Sequence, residues 1–282
     1  MGATILMGPA ALVAAPARSA VPARSLIVCA DPDNLPFSNL AGEGFENKIA
    51  TLLAKELNVT ITYTWWPQLR GYVRNTLNDD KCEVWLGIAS GVDRIAASQP
   101  YYRSTYVFVT RADAQLEGLT LDDDRLRSRL IGVQLIGNDA MNTPPAHAIA
   151  ARGLTDNVRG YMVYGAGASP ANHRAPIIDA LLAKQIDVAI VWGPLAGYFA
   201  GLSAVGLHLE PVTPQADPRW PMQYDISMGV RRGNEALLQE LNRVIARDAS
   251  QIDEILAAYH VPRAGAADGR SSGISGAAHR GL

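Results

Sequence analysis

Short apolar runs alternate with helical repeats along this chain. The first run, residues 26–30, is rich in β-branched side chains and ends at Asp31, and the Pro, Asn and Ser cluster after it predicts a turn. Apolar residues then recur at helical spacing, at Phe45, Ile49, Leu52, Leu53 and Leu57. A strand that delivers a polar loop to a sheet edge, followed by a helix packed on that sheet, predicts an open parallel α/β sheet.

The same rhythm continues in two blocks. Further strands are predicted at 60–66, 83–89, 106–110, 130–135, 159–164, 187–192 and 224–231. Helices are predicted at 69–77, 144–152, 176–184 and 235–259. Because the second block starts its own strand at 130–135, we predict an α/β fold with two lobes, each a mainly parallel sheet flanked by helices.

Both ends of the chain differ in composition from the middle. Residues 3–15 are apolar and Ala-rich, and small-residue cleavage options follow at 15–17 and 21–23, which is typical of a secretory signal peptide over 1–23. A disordered Ala-rich leader is the alternative. The tail 264–282 is mostly Gly, Ala and Ser, so we expect it to be disordered.

Composition excludes several classes of protein. The chain has 282 residues, 48% apolar and 18% charged, with a net charge of −2, so no basic surface indicates a nucleic-acid partner. No apolar run after the leader is long enough to span a membrane. The two cysteines, Cys29 and Cys82, favour a disulfide in an exported chain. Two buried thiols are the alternative, because the cysteines lie at different heights on their strands and a bridge needs Cα atoms within about 7 Å.

Signals of catalysis are weak. The chain has no nucleophile elbow, no P-loop and no dinucleotide-binding fingerprint, and its histidines lack metal-ligand spacing. Asp122, Asp123 and Asp124 are contiguous, which indicates a solvated helix start rather than a calcium or lanthanide loop. Glu43 and Glu46 are placed at the rim of a predicted cleft, where an enzyme could use them, but their spacing indicates no catalytic pair. We therefore predict a protein with no enzymatic activity, no cofactor and no metal of its own.

Four motifs carry a resemblance to a known family. They are C-A-D-P-D-N-L-P-F-S at 29–38, G-F-E-N at 44–47, Y-T-W-W-P-Q-x-R-G-x-x-R-N-T-L-N at 63–78 and P-Y-Y-R-S-x-Y-V-F-V at 100–109. Over about 24–263 the chain resembles periplasmic solute-binding proteins of family 3. Within that family it is most similar to the MxaJ and XoxJ group, which accompanies PQQ-dependent methanol dehydrogenases.

The resemblance implies a two-lobed periplasmic-binding-protein fold of class II with two crossing strands and a cleft. Lobe 1 would comprise 24–109 and 225–263, and lobe 2 would comprise 110–224. In amino-acid binders of this family an Arg after the third strand holds the α-carboxylate, and an acidic residue of lobe 2 pairs with the α-ammonium group. Here those positions fall on Gly91 and on the uncharged segment 192–194, so amino-acid transport is disfavoured.

Aromatic and basic residues stand in place of those anchors. Trp65 and Trp66 are consecutive, so one should face the core and the other should face outward or toward the cleft. Arg70 and Arg74 lie one helical turn apart, and Tyr101, Tyr102 and Arg103 follow later. Such a composition is typical of a protein-contact surface, and it also suits an aromatic polycarboxylate. The residues expected at the cleft or partner contact are Asp31, Asn34, Phe37, Glu46, Trp65, Trp66, Arg70, Arg74, Tyr101, Tyr102, Arg103, Asn138, Asp139 and Trp192.

The predicted function follows from the resemblance. We expect a monomeric periplasmic accessory protein that assists the maturation or activation of a PQQ-dependent methanol dehydrogenase through its cleft. PQQ and the metal would belong to that partner. The alternative is a solute-binding subunit of an ABC importer for a small aromatic or carboxylated ligand.

The first testable prediction is that free amino acids do not bind. A zwitterion taken out of water without a counter-charge for its carboxylate loses more hydration than it regains. Calorimetric titration with the standard amino acids at millimolar concentration should therefore give no binding heat. A single amino acid that binds in the micromolar range would contradict the prediction.

Overall fold

The computed structural model describes residues 24–68, 71–90, 95–135, 142–162, 175–214 and 219–264. Several predicted features lie outside these residues. They are the signal peptide at 1–23, the tail after residue 264, Arg70, Gly91, Asn138 and Asp139. Their predicted roles stay predictions.

The strands of the described residues are numbered in chain order. They are β1 (Ser25–Ala30), β2 (Asp33–Asn34), β3 (Ser38–Asn39), β4 (Thr60–Trp65), β5 (Val84–Ala89), β6 (Ile95–Ala97), β7 (Tyr102–Arg111), β8 (Ile131–Leu135), β9 (Val158–Met162), β10 (Val188–Trp192), β11 (Leu207–Pro211) and β12 (Gln223–Arg231). Each predicted strand coincides with one of these. The crossing strand predicted at 106–110 is longer, because the pairing of β7 with β12 already begins at Tyr102.

The helices of the described residues alternate with the strands. They are α1 (Phe45–Leu57), α2 (Tyr72–Asn75), α3 (Pro144–Ala151), α4 (Pro176–Leu182), α5 (Gly193–Gly201), α6 (Glu235–Arg247) and α7 (Ala249–Ala258). α5 and the strand β11 after it were not predicted. The many glycines of α5 disfavour a helix on propensity alone, and the helix instead gains its stability by burying Leu195, Ala196 and Ala200.

Two predicted helices are wrong in extent. In its described part, which starts at residue 71, the helix predicted at 69–77 is α2 followed by a short 3-10 turn, Leu77–Asp79. Gly71, just before α2, has a φ of 86°, a left-handed conformation that a continuous α-helix cannot contain. The run predicted at 235–259 is two helices, because Asp248 leaves the helical region with φ −108° and ψ 23°.

One ten-stranded sheet runs through both halves of the described chain. Its strand order is β4-β1-β5-β12-β7-β10-β8-β9, with β6 also paired to β12 and β11 to β7. At one end β1 is parallel to β4 and β5, and at the other β8 is parallel to β9 and β10. Between them β12 and β7 run antiparallel, with 223–226 opposite 102–105. The result is the predicted α/β fold, with two mainly parallel halves joined by two crossing strands.

Each half has its own apolar core. On the β1 side, Phe45, Ile49 and Leu53 of α1 are fully buried against the sheet together with Leu241 of α6. The residues of α1 recur at i, i+4 and i+8, so one helical face supplies them all, as the sequence pattern predicted. On the β8 side, a separate cluster includes Phe108, Ile131, Ile149 and Ile190. Across the described segments of the chain, no helix is both long and apolar enough to cross a membrane.

Cys29 and Cys82 form a disulfide with Cα atoms 5.4 Å apart. The objection from strand height fails because Cys82 lies in an irregular segment before β5. Cys29 is opposite Trp85 in the parallel pairing of β1 with β5, so a Cys82 that followed the ladder would lie opposite Leu26, nearer the start of β1. The disulfide that the sequence analysis favoured over two buried thiols is therefore confirmed.

The disulfide should contribute substantially to stability. Its loop spans 53 residues, so replacing both cysteines by Ala should lower the free energy of unfolding by about 3–4 kcal/mol through greater freedom of the unfolded chain. Urea denaturation of the parent, the reduced parent and the double variant tests this. The reduced parent and the variant should unfold at the same urea concentration. Peptide mapping of natively exported protein that finds two freely alkylated thiols would contradict the bridge.

Candidate functional site

A cavity of about 270 Å³ lies where the two halves of the sheet meet. Its walls come from the loop after β1, the start of α1, the ends of β5 and β10, and both crossing strands. They are formed by Asn34, Phe37, Glu46, Gln68, Gly87, Ala89, Tyr102, Tyr106, Gln134, Thr143, Pro144, Trp192, Leu195, Tyr224 and Ile226. The carboxyl ends of parallel strands deliver these residues to one place, as expected for an open α/β sheet.

On the β8 side, Gln134 organises the wall. Its side-chain Oε1 accepts a hydrogen bond from the backbone N–H of Trp192 at 2.7 Å, and its backbone carbonyl accepts one from the Thr143 hydroxyl at 2.6 Å. These bonds tie the end of β8 to the end of β10 and to the start of α3. The sequence analysis named Trp192 but missed Gln134 and Thr143, which carry no motif.

On the β1 side, Asp31 holds the loop that forms the wall. Its carboxylate accepts hydrogen bonds from the backbone N–H groups of Asp33 at 2.9 Å and Gln68 at 2.7 Å. Asn34 donates to the Gln68 side chain at 3.3 Å, so Gln68 links the loop to the segment after β4. Burial raises the pKa of Asp31, although the two backbone N–H groups oppose that effect. Asp31 therefore positions the wall rather than lining the cavity.

Glu46 is the acidic residue of the cavity wall. It lies in the first turn of α1 and is only 4% exposed. Among the described residues, none forms a hydrogen bond or an ion pair with its carboxyl group. Gly87 makes room for it, since a Cβ on Gly87 would collide with Oε1 of Glu46. Glu46, a predicted cleft residue, lies in the cavity wall rather than at an exposed rim, because the start of α1 is covered by the loop carbonyls of Pro36 and Phe37.

Burial, and secondarily the charge of Asp31, raises the pKa of Glu46 to about 8. Four buried or half-buried tyrosines face this group, and burial raises the pKa of each, with the Glu46 charge adding to the effect. They are Tyr63, Tyr72, Tyr101 and Tyr102. Glu43 is not part of this environment, since it is exposed and accepts a hydrogen bond from Asn39 at 2.7 Å.

The rest of the cavity wall is largely aromatic. The ring of Trp192 lies 5.2 Å from that of Tyr106 and 6.0 Å from that of Tyr224. Phe37 covers the β1 side and packs on Phe45. These rings come from both halves of the sheet, so the cavity is a site shared between them.

Part of the predicted contact surface is wrong. Tyr101 and Tyr102 are 6% and 4% exposed and pack edge to face at 5.0 Å, so neither presents a surface to a partner. Tyr102 was also a predicted cleft residue, and it lines the cavity. Arg103 is exposed but bound to Asp225 through two hydrogen bonds of 2.6 and 2.7 Å. Tyr102 and Arg103 belong to the crossing strand β7 and Tyr101 directly precedes it. The two tyrosines are buried because β7 lies in the middle of the sheet.

The two consecutive tryptophans lie on opposite faces, as the strand alternation predicted. Trp65 is half-buried and stacks on Tyr63 at 4.6 Å, on the face that carries α1. Trp66 is 36% exposed on the other face, with Lys81 Nζ 5.2 Å from its ring centroid. Neither lines the cavity. Arg74 is exposed on α2, in agreement with its predicted outward orientation.

No group of three or more His, Cys, Asp or Glu residues within the described ranges could hold a metal ion. Each residue of the acidic run 122–124 forms an ion pair with an arginine, as expected for a solvated helix start. The pairs are Asp122–Arg152, Asp123–Arg125 and Asp124–Arg127.

A family model for the bacterial extracellular solute-binding proteins, family 3, matches residues 26–261, and the chain belongs to this family. Family 3 comprises binding proteins, so the chain is a binding protein and not an enzyme.

Within the family the chain is similar to the proteins named MoxJ, XoxJ and MxaJ. It is 30% identical to MoxJ of Methylorubrum extorquens, over 85% of this chain and 82% of MoxJ. The crystal structure of the periplasmic binding protein XoxJ from Methylobacterium extorquens AM1 is 36% identical, covers 85% of this chain and 99% of XoxJ, and has a TM-score of 0.68. MxaJ of Methylophaga aminisulfidivorans shares the fold at 24% identity, with coverage of 85% and 100% and a TM-score of 0.70. The resemblance found in the motifs is thereby confirmed.

The Glu46 environment predicts a pH-dependent stability. Because folding raises the pKa of Glu46 from 4.5 to about 8, the native state keeps this proton after the unfolded state has lost it. Between pH 4.5 and about 8, the free energy of unfolding should therefore fall with rising pH, by about 1.4 kcal/mol per pH unit.

Urea denaturation of the ligand-free parent and Glu46→Gln at pH 5 to 9 isolates this contribution. The variant should lack this slope and be more stable than the parent at pH 8, whereas Glu43→Gln should follow the parent. A pH-independent difference between the parent and Glu46→Gln would contradict the assignment.

Proposed function

We propose that this chain is a periplasmic accessory protein of a PQQ-dependent methanol dehydrogenase system that assists the maturation or activation of the dehydrogenase. The observation that carries the proposal is the similarity to MoxJ and XoxJ, at 30% and 36% identity over 85% of the chain. Membership of an extracellular family and the signal-type leader support the periplasm. PQQ and the metal belong to the partner in this proposal.

The proposed dehydrogenase contact is the Trp66 patch, defined here as Trp66 and Lys81. An exposed Trp next to a cation is typical of binding hot spots, because a large rigid face loses little entropy when it is ordered. Arg74, exposed on the neighbouring α2, supports the same surface, and Arg70 stays a predicted member. Asn138 and Asp139 stay predicted contacts on the lobe 2 side of the cleft.

The cavity supports a second candidate function, a solute-binding subunit of an ABC importer. A concave, largely aromatic site with a few polar groups is the usual form of a small-molecule site. Both candidates use the proposed division into lobe 1 (24–109 and 225–263) and lobe 2 (110–224), since the cavity draws its walls from each.

Capture of the purified dehydrogenase from the same organism tests the first proposal. Trp66→Ala and Arg70→Ala should each weaken capture by about tenfold or more, mainly through faster dissociation, while the melting temperature stays nearly unchanged. Trp65→Ala should instead lower the free energy of unfolding by about 2 kcal/mol, since it removes the stack on Tyr63.

Leu202→Ala is the matched control, because Leu202 is 67% exposed on the other half of the sheet. It should bind like the parent. If the Trp66 and Arg70 variants fold and also bind the dehydrogenase like the parent, the Trp66 patch is not the contact.

A further inference from the structure

The described cavity wall contains one acidic side chain and no basic side chain to balance it. Among its described residues, Glu46 is the one ionisable carboxyl group, and none is a Lys, Arg or His. Its other polar side chains include the neutral amides of Asn34, Gln68 and Gln134. A ligand in this cavity therefore meets one acidic group and no basic one from the described wall.

Glu46 lacks the partners that a buried carboxylate requires. It is 4% exposed, and among the described residues none forms a hydrogen bond or an ion pair with its carboxyl group. Asp31, whose charge adds to the raised pKa of Glu46, has the same sign and already accepts two backbone hydrogen bonds. A buried carboxylate in this state is costly unless a counter-charge or a proton neutralises it. The cavity is the open direction from which a counter-charge can arrive.

The surrounding rings suit a cation as well. Phe37, Tyr102, Tyr106, Trp192 and Tyr224 line the same space, and the faces of aromatic rings attract positive charge. A cavity of about 270 Å³ lies near the lower end of the size range of small-ligand sites, about 300 Å³. The occupant is therefore a small molecule rather than a peptide segment.

We propose that the cavity binds a small organic ammonium cation, with its charged nitrogen against the Glu46 carboxylate and its alkyl groups against the aromatic rings. The site concerns the cavity alone, so it goes beyond the dehydrogenase role and does not depend on it. It also differs from an amino-acid site, because the described wall supplies no counter-charge for an α-carboxylate.

Binding of such a cation displaces the proton of Glu46. Burial raises the pKa of Glu46, and the groups facing it, Asp31, Tyr63, Tyr72, Tyr101 and Tyr102, add no positive charge. Affinity should therefore rise between pH 6 and pH 8, approaching about tenfold per pH unit, and level off above the pKa.

Calorimetric titration at pH 8.5 with tetramethylammonium and choline tests the site. The neutral isostere of choline, 3,3-dimethylbutan-1-ol, is the matched ligand, because it has the same shape without the charge. We expect at least one of the two cations to bind, and choline to bind about thirtyfold or more tightly than the alcohol. Glu46→Gln should reduce cation affinity by about thirtyfold or more, since the charge is lost while the shape is kept.

Glu43→Gln, which removes the same charge three residues away on the exposed side, should bind like the parent. Equal affinity for choline and the alcohol, stronger binding of butyrate than of either cation, or no binding of either cation at 10 mM would each overturn the proposal. Parental affinity in Glu46→Gln would overturn it too. The dehydrogenase contact is tested with Trp66 variants and the cation site with Glu46→Gln. The two proposals can therefore fail independently.

Discussion

The antiparallel pairing of β7 with β12 is the constraint on which the rest of the structure depends. These two strands are the ones that join the parallel group around β1 to the parallel group around β8. Their pairing sets Tyr102 opposite Ile226, and both residues line the cavity. Because the strands pass from one half to the other at this point, the loops at the carboxyl ends of both parallel groups converge on the same space. The cavity is therefore a consequence of the crossing.

Burial at this junction changes the chemistry of the side chains that meet there. An aromatic residue beside an edge strand can stay exposed, as Trp66 does, whereas Tyr101 and Tyr102 beside the central ladder are buried. The same covering turns Glu46 from an ordinary helix-start carboxylate into a group with a raised pKa. The α1 dipole favours the ionised form, but it acts on a group without a hydrogen-bond partner, so desolvation dominates. The position in the sheet, more than residue type, decides what each of these side chains can do.

The sequence predicted the features that depend on neighbouring residues and missed those that depend on residues far apart in the chain. Strand and helix periodicities are local, so the predicted strands and the buried face of α1 agree with the structure. Gly71 and Asp248 interrupt helices through backbone conformations that apolar periodicity does not register. The inward direction of Glu46 depends on Gly87, which is 41 positions away in sequence and leaves the space that Oε1 occupies. Gln134 and Thr143 enter the site through tertiary contacts alone, and no motif could have marked them.

The Trp66 patch and the Glu46 cavity lie on different faces of the β1 side, yet one short segment touches both. Trp66 follows β4, and two residues later Gln68 lines the cavity, donates its backbone N–H to Asp31 and accepts a hydrogen bond from Asn34. Any displacement of residues 66–68 on partner binding would therefore change the wall of the cavity and the support of Asp31, which in turn acts on Glu46. A ligand in the cavity and a protein on the Trp66 patch that both contact this segment would influence each other's affinity by the same factor. Residues 66–68 could thus couple ligand binding in the cavity to partner binding at the Trp66 patch. Such coupling would need no separate domain for either binding event.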